Sequence, residues 1–295
     1  MKKRPAIKCQ AFPFLCRFQF MPELPEVEVT RRGLAPAIVG RCVSAVNIRT
    51  PKLREPFQDL AALLPGLTLE HLERRAKYLI WTFRSAAGEK RWLLTHMGMS
   101  GSWRIWPVPA PSAHKHDHAD IVFGDVLVRY TDPRRFGSIL FMTTDPRKSL
   151  PLTKLGCEPW DPALTADRFY AELQKTHRSI KEVLLSGKIV VGCGNIYCSE
   201  ALFAAGIRPT RPADAISKAR AGRLLEALRK TLETAIAAGG STLHDFHGVS
   251  GETGWFPLAC AVYGREGKPR PICGRPIARI EQGGRSTFWC PHCQH

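Results

Sequence analysis

The hydrophobic pattern of this 295-residue chain changes period once, near residue 150, and that change limits what it can fold into. From Val43 to about Thr143, apolar residues alternate or cluster with β-branched and aromatic neighbours in VSAVNIRT, HLERRAKYLIWTFR, RWLLTHMG and ADIVFGDVLVRY. Such runs predict strands, with the Gly124-Asp125 pair as a hairpin turn inside the last. Strands this close in sequence form antiparallel sheets and predict a sandwich instead of a βαβ sheet. Beyond the Pro-rich stretch around Pro146–Pro162 the spacing becomes helical. Leu224, Leu225, Leu228, Leu232 and Ile236 recur on one face until Gly239-Gly240 stops the run. Ile180–Leu185 and Tyr197–Ala205 read as two shorter helices joined through GKIVVGCGN, and a helix from Glu26 to Leu34, ending at Gly33, precedes the strands. From Val262 onward Gly, Pro and Cys dominate, as in a small metal-supported hairpin. The expected class is α+β: a β-sandwich with its leading helix over 22–150, a helical domain over 151–260 and a hairpin over 261–295, with 1–21 as an extension.

Charge points to the partner. Lysine and arginine number 43 against 26 acids, a formal net charge of +17. Five of those cations lie in residues 1–20, and the rest of the chain still carries +12. An excess of this size suits a polyanion, because each phosphate neutralised by Lys or Arg releases condensed counterions. The bland alternative is a soluble protein that resists aggregation. Cys9, Cys16, Cys42, Cys157, Cys193, Cys198 and Cys260 are scattered without paired spacing, which fits reduced thiols in the cytoplasm better than a secretory disulfide framework. Only Cys273, Cys290 and Cys293 cluster. No apolar run reaches the roughly 18 residues that a membrane span needs. The first twenty residues lack the apolar core and small-residue cleavage site of a signal peptide.

Several motifs stand in order: MPELPEVE from Met21, ERRAKYL (73–79), HMGMSGSWR (96–104), KHDH (115–118), YTDPRRFG (130–137), GCGNIYCSEALFAAGI (192–207) and GGRSTFWC (283–290). Taken alone, Pro22-Glu23 is a turn-forming dipeptide with acids capping a helix. Taken together, the motifs resemble the formamidopyrimidine-DNA glycosylase family over about residues 21–295. The resemblance implies a bifunctional DNA glycosylase and AP lyase of base excision repair. Such an enzyme excises 8-oxoguanine and formamidopyrimidines through a Schiff base on an N-terminal proline, followed by β,δ-elimination. It also implies a helix–two-turn–helix element, a zinc-finger hairpin, a monomer in the bacterial cytoplasm at the nucleoid, and double-stranded DNA with oxidised bases or abasic sites as partner.

The chemistry explains the proline. A covalent iminium needs an unprotonated amine, and an α-amino group titrates near about 8 against about 10.4 for lysine. An internal proline is a tertiary amide with no nucleophilic pair. Activity therefore requires that Pro22 be the mature terminus, and the expectation is translation from Met21 with that Met removed, residues 1–20 being untranslated or cleaved.

By resemblance, Glu23 protonates the sugar ring oxygen or the departing base, and Glu26 is a supporting carboxylate. Glu28 reads as helix-dipole complementarity. Lys77, expected within a strand segment, contacts phosphate and assists β-elimination, while Arg285 does the same for δ-elimination. Asn195 binds a phosphate, with Gly192 and Gly194 bringing backbone N–H groups near the phosphodiester. A flipped base leaves a hole that Met99 fills, Arg134 pairs with the orphaned cytosine, and Phe136 buckles the neighbouring stack. His116 is the expected phosphate contact in KHDH. The loop near Gly248–Gly254 closes over the flipped base in the family. The finger departs from the family pattern of two C-x-x-C pairs: Cys273, Cys290 and Cys293 are present, and Arg270 occupies the fourth cysteine's place. Zinc affinity should be weakened, with His292 or His295 as a substitute ligand. Two other functions are compatible with parts of this pattern. An endonuclease VIII-like enzyme for oxidised pyrimidines is opposed by DPRRFG. A catalytically silent damaged-DNA-binding homologue is opposed by the retention of Glu23, Lys77 and Asn195.

Overall fold

A computed structural model describes residues 21–240, 260–270 and 273–295. Residues 1–20 of the extension and the Gly248–Gly254 loop lie outside the described residues.

Helix α1 (Leu24–Ile38) starts at Glu23, whose backbone N–H donates to Glu26 Oε2 at 2.8 Å in a capping box. The helix does not stop at Gly33 as expected. It continues to Ile38, through Gly33 and Pro36. Leu34 and Ile38 are fully buried while Gly33 and Pro36 face solvent. Burying each of the two apolar side chains contributes about 1.5–3 kcal/mol, which exceeds the roughly 1 kcal/mol cost of the glycine.

Eight strands follow: β1 (Ala45–Ile48), β2 (Thr68–Arg75), β3 (Tyr78–Arg84), β4 (Lys90–His96), β5 (Ser102–Pro107), β6 (Asp117–Phe123), β7 (Val126–Thr131) and β8 (Ser138–Met142). A short helix, α2 (Leu60–Leu63), lies between β1 and β2. The strands form two antiparallel four-stranded sheets, ordered β1-β6-β7-β5 and β2-β3-β4-β8. Gly124 and Asp125 make the expected hairpin turn, with Phe123 opposite Val126. The run HLERRAKYLIWTFR, read as strand throughout, is instead two strands folded back at Ala76-Lys77, where Ala76 has φ 53°. Neither turn residue is Gly or Asn, so local propensity gave no signal there. The turn is held from outside, because Glu158 accepts the Ala76 N–H at 2.7 Å.

Between the sheets, Trp103 sits 5.2 Å from Trp81 and 4.8 Å from Tyr130, centroid to centroid. Ile80 and Leu94 face the other way and are covered by Leu152. Strand β3 is thus buried on both faces, which accounts for its unbroken apolar run. The helical half contains α3 (Ala166–Leu173), α4 (Ile180–Leu185), α5 (Asn195–Ala204) and α6 (Lys218–Ala237), the last burying Leu224, Leu225, Leu228 and Leu232. The chain ends in the hairpin β9 (Ala278–Gln282) and β10 (Arg285–Trp289), with Phe288 packed on Val262 and Ile277. No helix among the described residues is long and apolar enough to cross a membrane.

The loops after β4 and β7 interlock. Gly98 has φ +65°, and a Cβ there would stand 2.4 Å from the carbonyl carbon of Phe136. Both the dihedral and the backbone contact oppose any side chain. Gly98→Ala should therefore lower stability by about 2–4 kcal/mol in urea unfolding; a change below about 0.5 kcal/mol would disprove the interlock.

Candidate active site and nucleic-acid interface

Pro22 and Glu23 are buried at the head of α1, against the turn that opens α5. The Glu23 carboxylate accepts the N–H of Gly194 and, at 3.0 Å, that of Ile196. A Cβ at Gly194 would lie 2.3 Å from the Glu23 carboxyl carbon, so any side chain there would displace this carboxylate. Of the two glycine amides expected near a phosphodiester, that of Gly194 is bound to Glu23. Glu26 accepts from Tyr197 Oη at 2.6 Å, and Leu24 N–H donates to Gly192 O at 3.0 Å. Burial raises the Glu23 pKa above the usual carboxylate value and Glu26 reinforces this, against Lys77's charge and the Ile196 and Gly194 N–H bonds. A carboxyl whose burial favours the protonated form is suited to donate a proton.

Lys77 is half-buried in the Ala76-Lys77 turn, not in a strand, and its charge acts on Glu23. Glu158 holds that turn: beyond the Ala76 N–H, it pairs with Arg74 at 2.7 Å and Arg75 at 2.9 Å. Arg74 also contacts Glu28 at 3.2 Å, and Glu28 binds Arg31 and Arg32, each at 2.8 Å. Glu28 is therefore an ion-pair hub joining α1 to β2, more than a dipole partner.

Asn195 donates to Ser286 O at 2.9 Å, which sets it beside Arg285 at the exposed turn of the β9–β10 hairpin. The same place contains a residue that pattern reading missed. Lys181, on α4, is fully buried and donates to Thr287 Oγ1 at 2.7 Å. Burial lowers its pKa to about 8, with Cys198 and Glu23 acting to raise it and Arg285 to lower it. Its only sequence signal is a cation among the apolar positions of IKEVLL. His96 was missed as well, although HMGMSG contains it. Its Nδ1 accepts the Gly98 N–H at 2.9 Å, so a neutral ring carries its proton on Nε2. Burial, with Lys77 and Arg54 nearby, lowers its pKa to about 4.

The three expected wedge residues come from two loops organised by one buried acid, Asp132. Its carboxylate accepts from Ser100 Oγ at 2.6 Å, Arg134 N–H at 3.3 Å and Gly137 N–H at 2.8 Å. Met99 and Arg134 are half-buried, whereas Phe136 is 46% exposed, unusual for a large apolar ring, with the Arg134 guanidinium 4.9 Å from its centre. The exposed His116 joins this group through its backbone carbonyl, which accepts the Asp132 N–H at 2.9 Å. His118 turns inward to Asp132 O at 2.9 Å.

In the hairpin, Cys273, Cys290 and Cys293 bring their sulfurs within 4.8 Å of one another, with Cys273 and Cys290 3.7 Å apart. Zinc with Zn–S bonds of about 2.3 Å sets adjacent sulfurs about 3.8 Å apart in a tetrahedron, so these three fit the ion. His292 and His295, expected as substitute ligands, are exposed and outside the cluster.

Glu28 generates a pH test. Burial alone would raise its pKa, yet hydrogen bonds from Arg31 and Arg32 and the charges of Arg31 and Arg74 hold it at about 2. Its stabilisation is therefore present above the ordinary carboxylate range and lost as pH falls towards 2. Glu28→Gln should cost about 2 kcal/mol at pH 7, after discounting for partial exposure, and the gap to wild type should close on acidification. A gap constant from pH 7 to pH 3 would refute the ion-pair account.

Comparison with known proteins matches these features. Family models align as the Formamidopyrimidine-DNA glycosylase N-terminal domain over residues 21–139, the Formamidopyrimidine-DNA glycosylase H2TH domain over 155–247 and the Zinc finger found in FPG and IleRS over 267–295. The Formamidopyrimidine-DNA glycosylase of Cupriavidus pinatubonensis is 48% identical, covering 93% of this chain and 100% of its own length. That of Burkholderia vietnamiensis is 49% identical with the same coverage. Among solved structures, the MutM (Fpg) protein of Thermus thermophilus has a TM-score of 0.81 and 37% identity, covering 92% of this chain and 98% of that one. Lactococcus lactis Fpg in complex with abasic-site DNA has a TM-score of 0.83 and 34% identity, covering 92% and 99%. The hairpin is accordingly a zinc-binding element, and the chain belongs to the formamidopyrimidine-DNA glycosylase family.

Proposed function

We propose that this DNA glycosylase of base excision repair excises oxidised purines and nicks the resulting abasic strand, using the Pro22 amine as nucleophile. The observation that supports this best is the buried Glu23 carboxyl, held beside Pro22 by the head of α5 and biased towards its protonated form. The amine attacks C1′ of the damaged nucleoside as the glycosidic bond breaks. Glu23 gives its proton to the ring oxygen or the departing base, the amine's own proton goes to the other, and opening of the sugar ring leaves an iminium. Loss of a C2′ proton then expels the 3′ phosphate, and a second elimination expels the 5′ phosphate. Lys77 and Arg285 are the cations assigned to those two eliminations, with Glu26 supporting Glu23. Asn195 and His116 hold the phosphodiester backbone, and Met99, Arg134 and Phe136 fill the duplex where the base leaves it.

The partner is double-stranded DNA with an oxidised base or an abasic site, met in the bacterial cytoplasm at the nucleoid. The sandwich (22–150) and helical domain (151–260) would grip it from two sides, and the 261–295 hairpin holds zinc through Cys273, Cys290 and Cys293. Since an amide nitrogen cannot attack, Pro22 acts only in a form whose chain begins there, with residues 1–21 absent.

Protein beginning at Pro22 should be trapped on 8-oxoguanine DNA by borohydride, and protein retaining residues 1–21 should not. Equal trapping of the two would sink the amine assignment, and trapping of neither would favour a silent DNA-binding homologue. Glu23→Gln should slow base excision at saturating enzyme at least about 100-fold while changing DNA affinity less than about threefold. A variant that binds poorly yet turns over normally once saturated would remove Glu23 from the chemistry.

A further inference from the structure

Arg270 stands where the finger's remaining cysteine would be, and its surroundings give it a definite role. Its backbone is tied to the residues around Cys273: Arg270 N–H donates to Arg275 O at 3.0 Å, and Gly274 N–H donates to Arg270 O at 2.9 Å. The side chain reaches into the cluster, with Nη1 3.0 Å from Cys293 Sγ. Its far face is supported by α5, with Cζ 4.8 Å above the Phe203 ring. A guanidinium has no lone pair to give a metal. Among the described residues, no other Cys, His, Asp or Glu brings a ligand atom into the group.

Charge makes the arrangement consistent. Three thiolates around a divalent ion leave one net negative charge, and a guanidinium hydrogen-bonded to one of the sulfurs cancels it. Cys273 and Cys290 already stand at a tetrahedral spacing with Cys293 within 4.8 Å of both, and among the described residues no side chain fills the remaining corner.

We propose that the finger binds zinc through Cys273, Cys290 and Cys293 alone, with Arg270 as charge partner to Cys293 and the fourth coordination position taken by an exchangeable small donor. Water fills that position at rest, and a neutral nitrogen or sulfur donor such as an imidazole or a small thiol replaces it. The site is then open, unlike the closed four-ligand structural type. This rests on the zinc reading of the hairpin.

Cobalt substitution of the full-length protein tests it. The wild type should take up one Co²⁺ per chain with thiolate-to-metal charge-transfer bands, and added imidazole should shift its ligand-field bands saturably. Arg270→Cys should give a four-thiolate spectrum indifferent to imidazole and hold zinc against chelator at least about tenfold more tightly. Arg270→Gln should keep the imidazole response but hold zinc several-fold more weakly; unchanged or tighter zinc would remove the charge-partner role. A wild-type spectrum indifferent to imidazole would reveal a fourth protein ligand and overturn the proposal, with His292→Ala and His295→Ala testing whether either supplies it. Metal uptake by Arg270→Cys but not by wild type would overturn it too, since the guanidinium would then replace the ion. Uptake by neither would overturn the zinc reading itself.

Discussion

The bond between the Glu23 carboxylate and the backbone N–H groups opening α5 joins the two halves of the molecule at the point where the chemistry is proposed to occur. It is charge-assisted when the acid is ionised and lies at a helix N-terminus, where negative charge is favoured. The Leu24 N–H to Gly192 and Glu26 to Tyr197 contacts reinforce it on either side. Because these residues follow Pro22 directly, the start of α1 cannot shift without undocking the helical half from the sandwich. The contact also buries the carboxyl. One packing event therefore fixes the position of Pro22 and biases its neighbour towards the acid form.

Buried and half-buried acids recur as organisers throughout this strongly basic chain. Asp132 gathers the loops carrying Met99, Arg134 and Phe136, and Glu158 holds the turn that presents Lys77. Glu200, on α5, accepts the N–H groups of Ala261, Val262 and Tyr263 at 2.8, 3.0 and 2.9 Å, anchoring the approach to the finger. Each carboxylate satisfies several backbone or guanidinium donors, which is how a protein buries charge without a large desolvation penalty. The acids thus turn inward to hold loops, while many of the surplus cations face outward, where a polyanion can meet them.

Legibility in the sequence followed the range of the interactions involved. The Gly124-Asp125 hairpin, the α4 boundaries and the stripe of α6 were readable because each is set by turn chemistry or a 3.6-residue period within a few residues. The Ala76-Lys77 turn was not, because a carboxylate more than eighty residues away enforces it on residues with no turn preference. Gly33 misled for a related reason: the burial of Leu34 and Ile38 against the sandwich outweighs a local breaker. Lys181 and His96 were overlooked because pattern reading treats a lone lysine or histidine as surface until burial is known.

The sequence alone determined the class of fold and the family and named the side chains proposed to carry the chemistry, since periodicity, ordered motifs and the departure at Arg270 are properties of the chain as written. Only the tertiary structure decided what each group faces. It turned the Gly194 and Ile196 amides to Glu23, made Glu28 an ion-pair hub, and set Arg270 against Cys293. The physical reason is that electrostatics depends on distance and burial. Neither quantity exists for a pair of residues far apart in sequence until packing has brought them together and excluded water.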